Sequence, residues 1–153
     1  MTLNEIAKDL VDGCRDGQAA RNLDRLYAPD AISVEAVSPD GRDRITRGRD
    51  GIRQKHVWWD ENATVHASAV EGPFIGGDDS FAVVFEVDAT LFGERAKTRE
   101  VGLYTVRDGL IVREAFFLMP RLGRWRQRTA TRSPGPADAE WMRSASASAM
   151  SGR

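Results

Sequence analysis

The scarcest reactive side chains in this chain of 153 residues are two histidines, His56 and His66, one cysteine, Cys14, and two tyrosines, Tyr27 and Tyr104. The histidines have no further ligand at metal-binding spacing, so no metal site and no cofactor are expected. One cysteine permits no intrachain disulfide and gives no sign of an oxidising compartment. Carboxylates are the better source of chemistry. Glu100 and Glu114 stand on two alternating runs joined at Asp108-Gly109, a strong hairpin signal. If both point inward, they are two carboxylates on adjacent strands that cannot easily ionise together. One is then held protonated, which is an acid/base arrangement. The opposing reading pairs one of them with Arg99 or Arg113 at the sheet edge. The Trp58-Trp59 pair reads as core or pocket wall rather than as a dedicated stacking platform.

Which face these residues share depends on the hairpin register. A two-residue turn pairs Arg107 with Leu110 and puts Glu114 on the face of Val101, Leu103 and Thr105. A three-residue loop with a glycine bulge pairs Val106 with Leu110. Glu100, Gly102, Tyr104 and Val106 then share a face with Val112, Glu114, Phe116 and Leu118.

The elements that must hold these residues follow from periodicity. Leu3, Ile6, Ala7, Leu10, Val11 and Cys14 fall at helical spacing and predict a helix over 3–14. Asp16-Gly17 ends it, and a second short helix carries Ala19, Ala20, Leu23 and Leu26. Ala31–Ala36 is a first strand, Val37–Arg47 a loop, and Asp50–Trp59 a third helix with Ile52, His56 and Trp59 on one side. Four strands follow: Thr64–Glu71, Ser80–Thr90, Lys97–Arg107 and Leu110–Met119. Helices first and an antiparallel meander after them predict an α+β fold with the helices packed on one face of the sheet.

Composition limits the function classes. Residues 1–119 carry 15 Lys+Arg against 21 Asp+Glu, a balance of −6, and residues 120–153 carry 7 against 2. An acidic body does not attract a phosphate backbone, so the domain is not expected to bind nucleic acid. The longest apolar runs, Phe81–Phe85 and Ala115–Met119, are far too short to cross a membrane. Glu5, Lys8 and Asp9 interrupt the first ten residues where a signal peptide needs an apolar stretch, which makes a cytoplasmic location the default. Beyond Pro120 the Arg-, Ser- and Ala-rich composition predicts a flexible tail, with Trp125, Trp141 and Met142 as its only apolar anchors.

Several stretches carry a resemblance: Leu26-Tyr27-Ala28-Pro29-Asp30-Ala31 followed by Ser33-Val34-Glu35-Ala36; Gly48-Arg49-Asp50-Gly51-Ile52; Trp58-Trp59 with His66 downstream; and Tyr104-Thr105-Val106-Arg107-Asp108-Gly109 leading to Ile111-Val112-Arg113-Glu114. Together they make residues 3–119 resemble the SnoaL-like and ketosteroid-isomerase-like branch of the nuclear-transport-factor-2-like superfamily. The resemblance implies a cone in which N-terminal helices pack inside a curved antiparallel sheet. It also implies a deep apolar pocket, an apolar small-molecule ligand and a homodimer through the outer sheet face. It favours the second register, which turns Phe81, Val83, Phe85 and Val87 inward and Glu86 and Asp88 outward.

The resemblance also assigns roles. Glu35 falls where the isomerases place their general base, Tyr27 matches a tyrosine of their hydrogen-bond network, and His56 falls at a pocket tyrosine. Glu35 as base, His56 or Tyr104 as donor, and Glu100 and Glu114 as tuning acids form the expected catalytic set. Tyr27, Trp58, Trp59, His66, Val83, Phe85 and Phe116 form the expected pocket lining. The isomerase oxyanion hole is missing, since its places fall near Leu10 or Val11 and at Gly102. The polyketide-cyclase pattern is broken too, with Glu114 and Phe116 in place of its His and Asp. The expected function is therefore a cofactor-independent isomerase, cyclase or hydrolase. The alternatives are a non-catalytic ligand-binding module and a dimeric interaction domain.

Overall fold

The computed structural model describes residues 1–38 and 41–120. The expectations for the tail, Trp125, Trp141 and Met142 among them, lie outside the described residues. Three helices, α1 (Leu3–Arg15), α2 (Ala19–Leu26) and α3 (Arg49–Asn62), pack on one six-stranded sheet. Its strands are β1 (Tyr27–Val34), β2 (Ile45–Arg47), β3 (Ala63–Gly76), β4 (Ser80–Leu91), β5 (Glu94–Arg107) and β6 (Leu110–Leu118), in the order β2-β1-β6-β5-β4-β3. The α+β expectation holds. All neighbours are antiparallel except β1 and β6, which run parallel and join the meander to the first strand. The loop expected over 37–47 contains the short strand β2, which pairs with β1 through Ile32–Arg47 and Val34–Ile45.

Local sequence explains the helices. Thr2 and Glu5 form a reciprocal cap on α1, with Thr2 N–H donating to Glu5 Oε2 at 2.7 Å. α1 and α2 approach closely at Gly13, where an added Cβ would lie 1.9 Å from Asn22 Nδ2. The buried Asn22 amide instead donates to the Asp9 carbonyl at 3.3 Å. Gly48, at φ +81°, opens α3, and its N–H donates to the Ala31 carbonyl at 2.8 Å, fastening α3 to β1.

The core lies between the helices and the inner sheet face. Ile6, Leu23, Leu26, Ile52, Phe81, Val83 and Ile111 are almost fully excluded from solvent, each worth about 1.5–3 kcal/mol of hydrophobic stabilisation. Phe81 and Val83 point inward as expected, while Glu86 and Asp88 face out to Lys97 and Arg95 at 2.8 and 2.9 Å. Val87 is half-buried beside them.

The β5–β6 hairpin has the turn of the first expected register and the inner face of the second. A two-residue turn pairs Arg107 with Leu110 and Val106 with Ile111; a bulge then shifts the ladder so that Thr105 meets Arg113 and Tyr104 meets Glu114. One extra residue on β6 changes which side chains face inward. Glu100, Gly102, Tyr104, Glu114 and Phe116 consequently share the inner face, as the resemblance favoured. Ile111, rather than Val112, fills the core beside Val106.

Candidate functional site

Glu114 is the centre of a buried hydrogen-bond network. It is 2 % exposed and lies between Ser33 of β1 and Tyr104 of β5, its register partners on either side. The Tyr27 hydroxyl donates to Glu114 Oε2 and the Ser33 hydroxyl to Oε1, both at 2.6 Å. Alternation along β1 brings Ser33 to the inner face, and the parallel pairing of β1 with β6 sets it opposite Glu114. A carboxylate this deep requires such donors, because an unpaired buried charge is costly.

Lys55 extends the network toward solvent. Its ammonium group donates to Ser33 Oγ at 2.6 Å, to Glu35 Oε1, and at 3.4 Å to Glu114 Oε1. It also stands 5.3 Å from the centroid of the Phe116 ring. Glu35, just past β1, is thus ion-paired, with about a third of its side chain exposed. Its backbone is held by the β1–β2 connection: Glu35 N–H donates to the Arg44 carbonyl at 2.8 Å, and Arg44 Nε to the Glu35 carbonyl at 2.7 Å.

Glu100 is held differently. It is half-buried on the inner face of β5, opposite Phe85 of β4 and Leu118 of β6. No hydrogen bond or ion pair reaches its carboxyl among the described residues. Burial pushes that carboxyl up to about 7; the Glu35 charge adds to the rise, Lys55 opposes it, and Glu114 adds a smaller share. Two carboxyls of one site thus occupy contrasting environments, one tied to an ammonium and one desolvated and unpaired.

Tyr104 is 2 % exposed and stacks on Phe81 at 4.8 Å. Burial first, then the charges of Glu114, Cys14, Glu100 and Glu35, hold its hydroxyl well above the ordinary tyrosine range, so it stays neutral. That hydroxyl has no hydrogen-bond partner among the described residues. The Tyr104, Phe116 and Phe85 rings close over Gly102, where an added Cβ would meet all three at 3.0–3.1 Å. Gly102 is thus a packing requirement where the isomerase pattern has an acid.

His56 is half-buried on α3 and has no hydrogen-bond partner among the described residues. Burial pulls its pKa below the ordinary value, with Glu114 opposing, which leaves a neutral imidazole at neutral pH. Burial also pushes the Cys14 thiol up to about 11, aided by Glu114, so it is not a nucleophile. Among the described residues no three metal-ligating side chains converge.

The structure therefore gathers Glu35, Glu100, Glu114, Tyr27, Tyr104, His56, Phe85 and Phe116 on the inner face of the sheet and the helical side that covers it. Val83 belongs to the sealed core, and Trp59 is half-buried on α3. His66 and Trp58 go elsewhere. His66 is exposed on β3 with Nε2 2.8 Å from Thr90 Oγ1, and Trp58 packs edge-on against Phe92 under the Arg42 guanidinium. Sequence reasoning missed Lys55 and Ser33. Lys55 falls three residues after Ile52, on the stripe that carries His56 and Trp59, and a lysine on an apolar stripe was the available signal.

The model of the SnoaL-like domain family matches residues 1–118. No curated protein matches the sequence. The fold superimposes with a TM-score of 0.71 and 42 % identity on a protein from Mesorhizobium loti provisionally assigned as a SnoaL-like polyketide cyclase, over 76 % of this chain and 99 % of that one. A protein of unknown function with a cystatin-like fold from Xanthomonas campestris matches at 0.63 and 21 %, over 77 % and 91 %. An NTF2-like protein of unknown function from Burkholderia pseudomallei matches at 0.61 and 14 %, over 75 % and 88 %. The chain belongs to the SnoaL-like family, and its architecture is that of the NTF2-like, ketosteroid-isomerase-like proteins.

Proposed function

We propose that this protein is a small-molecule acid–base enzyme that needs no cofactor, with Glu100 as the proton-exchanging group. The observation that carries the reading is the unpaired, desolvated Glu100 carboxyl, held near 7 beside an ion-paired Glu35. A group whose pKa matches the working pH is both adequately populated and adequately reactive in either state. Tyr104 and His56 are neutral donors to a ligand oxygen, and Phe85 and Phe116 supply apolar wall. Glu35, the base that the resemblance implies, is paired with Lys55 and orients it. Glu114 positions Lys55. Family membership supports isomerase, cyclase or hydrolase chemistry on an apolar substrate.

The test is a screen of ketone, lactone and polyketide-like substrates followed by a pH profile of any activity found. Glu100→Gln should lower kcat/KM by at least ~10²-fold, the usual share of a positioned acid or base. The wild-type profile should bend near pH 7, and the bend should vanish in the variant. A profile that keeps its bend in Glu100→Gln assigns the titration to another group and removes Glu100 from the chemistry.

A second reading concerns the outer face. Phe117, Leu103 and Phe74 are 55 %, 38 % and 53 % exposed, and Val84, Val101 and Phe117 lie in line across three strands. We infer that a second copy covers this apolar stripe, giving a homodimer. Sedimentation at micromolar concentration should show a dimer that Phe117→Asp splits; a monomer in the wild type sinks the inference.

A further inference from the structure

We propose that the site beside Glu100 takes a ligand carrying a positive charge on an apolar frame, a protonated alkylamine being the simplest case. The proposal deepens the reading of Glu100 as a group that changes charge near neutrality, and it rests on that reading.

The charge distribution points to it first. Three carboxyl groups face the site, Glu35 from the end of β1, Glu100 from β5 and Glu114 from β6, against one ammonium, Lys55 of α3. β4 contributes the Phe85 ring opposite Glu100 and no charge on that face, and His56 of α3 is neutral. Lys55 is spent: its three donors go to Glu35, Ser33 and Glu114, and its charge lies against Phe116. Arg99, on the opposite face of β5, pairs with Glu71 at 3.0 Å, and Arg44 donates to the Glu35 backbone carbonyl at the exposed end of β1. An entering carboxylate or phosphate meets three carboxyl groups there, with the single inward ammonium, Lys55, already paired. A cation meets an unpaired carboxyl in a desolvated setting where attraction is weakly screened.

Tyr104 is the independent observation. Its side chain is 2 % exposed and its hydroxyl has no hydrogen-bond partner among the described residues, on the face that carries Glu100 and Glu114. A neutral phenol there offers lone pairs to an N–H donor and leaves a hydrogen bond for a ligand to make. The rings complete the fit. Phe85 stands opposite Glu100, and Phe116 already receives one ammonium on its face, that of Lys55. An aromatic face attracts a cation by roughly 0.5–2 kcal/mol and a neutral isostere of the same shape by less.

Cyclohexylammonium, cyclohexanol and cyclohexanecarboxylate share one frame and differ in charge, so they isolate the effect. Binding to the full chain is followed by calorimetry and by carbon shifts of the Glu100 carboxyl. At pH 8, where Glu100 is ionised, the ammonium should bind at least ~10-fold tighter than the alcohol, and the carboxylate weakest. At pH 5.5 Glu100 carries its proton and the preference should shrink. In Glu100→Gln it should be lost at both pH values. Equal or tighter binding of cyclohexanol at pH 8, no binding by any of the three, or a preference that survives in Glu100→Gln overturns the proposal. No turnover is read, so these outcomes leave the acid–base assignment to be judged by its own pH profile.

Discussion

Glu100→Gln is expected to melt on the order of 10 °C above the wild type at pH 8, and at nearly the same temperature at pH 4.5. The folded carboxyl titrates near 7 and the free one near 4.5. Between those values the folded state binds more protons than the unfolded one, so wild-type stability falls as pH rises through the window. The contribution is fully present below about 4.5 and gone above 7. A shift of that size corresponds to at most about 3 kcal/mol. Glutamine keeps the shape, does not titrate, and removes the burial penalty, so its advantage opens only as the pH rises. Melting curves at the two pH values check it. An equal gain at both would mean that the benefit is packing and not charge.

Lys55→Met should lose roughly 3 kcal/mol at pH 7, the cost of stranding partly buried carboxylates that had shared a cation. Glu114 keeps the Tyr27 and Ser33 donors but loses the adjacent charge, and Glu35 loses its ion-pair partner. The double variant Lys55→Met/Glu35→Gln should recover part of the loss, because one of the stranded charges is then absent. Chemical denaturation of the wild type, the two single variants and the double variant measures that coupling. Additive losses would show that Lys55 matters as a space-filling stem and not as the centre of the network.

This lysine also marks where sequence reasoning stopped. On resemblance Glu35 is expected to be the general base. The ammonium beside it makes it one half of an ion pair instead, which Glu35→Gln breaks. Helical spacing already put Lys55 on the stripe of Ile52, His56 and Trp59. A lysine is ordinarily solvent-facing, however, and only the third dimension shows that Ser33, Glu35 and Glu114 converge on it.

The three helices and the four long strands were legible because their apolar periods are strong and their stops, Asp16-Gly17 and Asp108-Gly109, are chemically plain. The short strand β2 was hidden, since three residues among Asp, Pro and Gly carry no period of their own and pair only because β1 lies alongside. The inner face of β5 and β6 was legible by resemblance, while its cause was not. A two-residue turn alone would have put Glu114 on the outer face, and the bulge that turns it inward leaves no mark in the residue types around Val112. The unpaired state of Glu100 was likewise out of reach, because Arg99 and Arg113 were equally available partners in sequence and the strand directs both away from it.

Titration of the Glu100 carboxyl, followed by its carbon chemical shift in protein labelled at glutamate with Glu100→Gln to assign the signal, tests most directly whether that group is poised to exchange a proton. A midpoint near 7 is expected. A midpoint near the ~4.3 of a free glutamate would contradict it, because a carboxyl that ionises that readily is neither desolvated nor poised to exchange a proton at neutral pH.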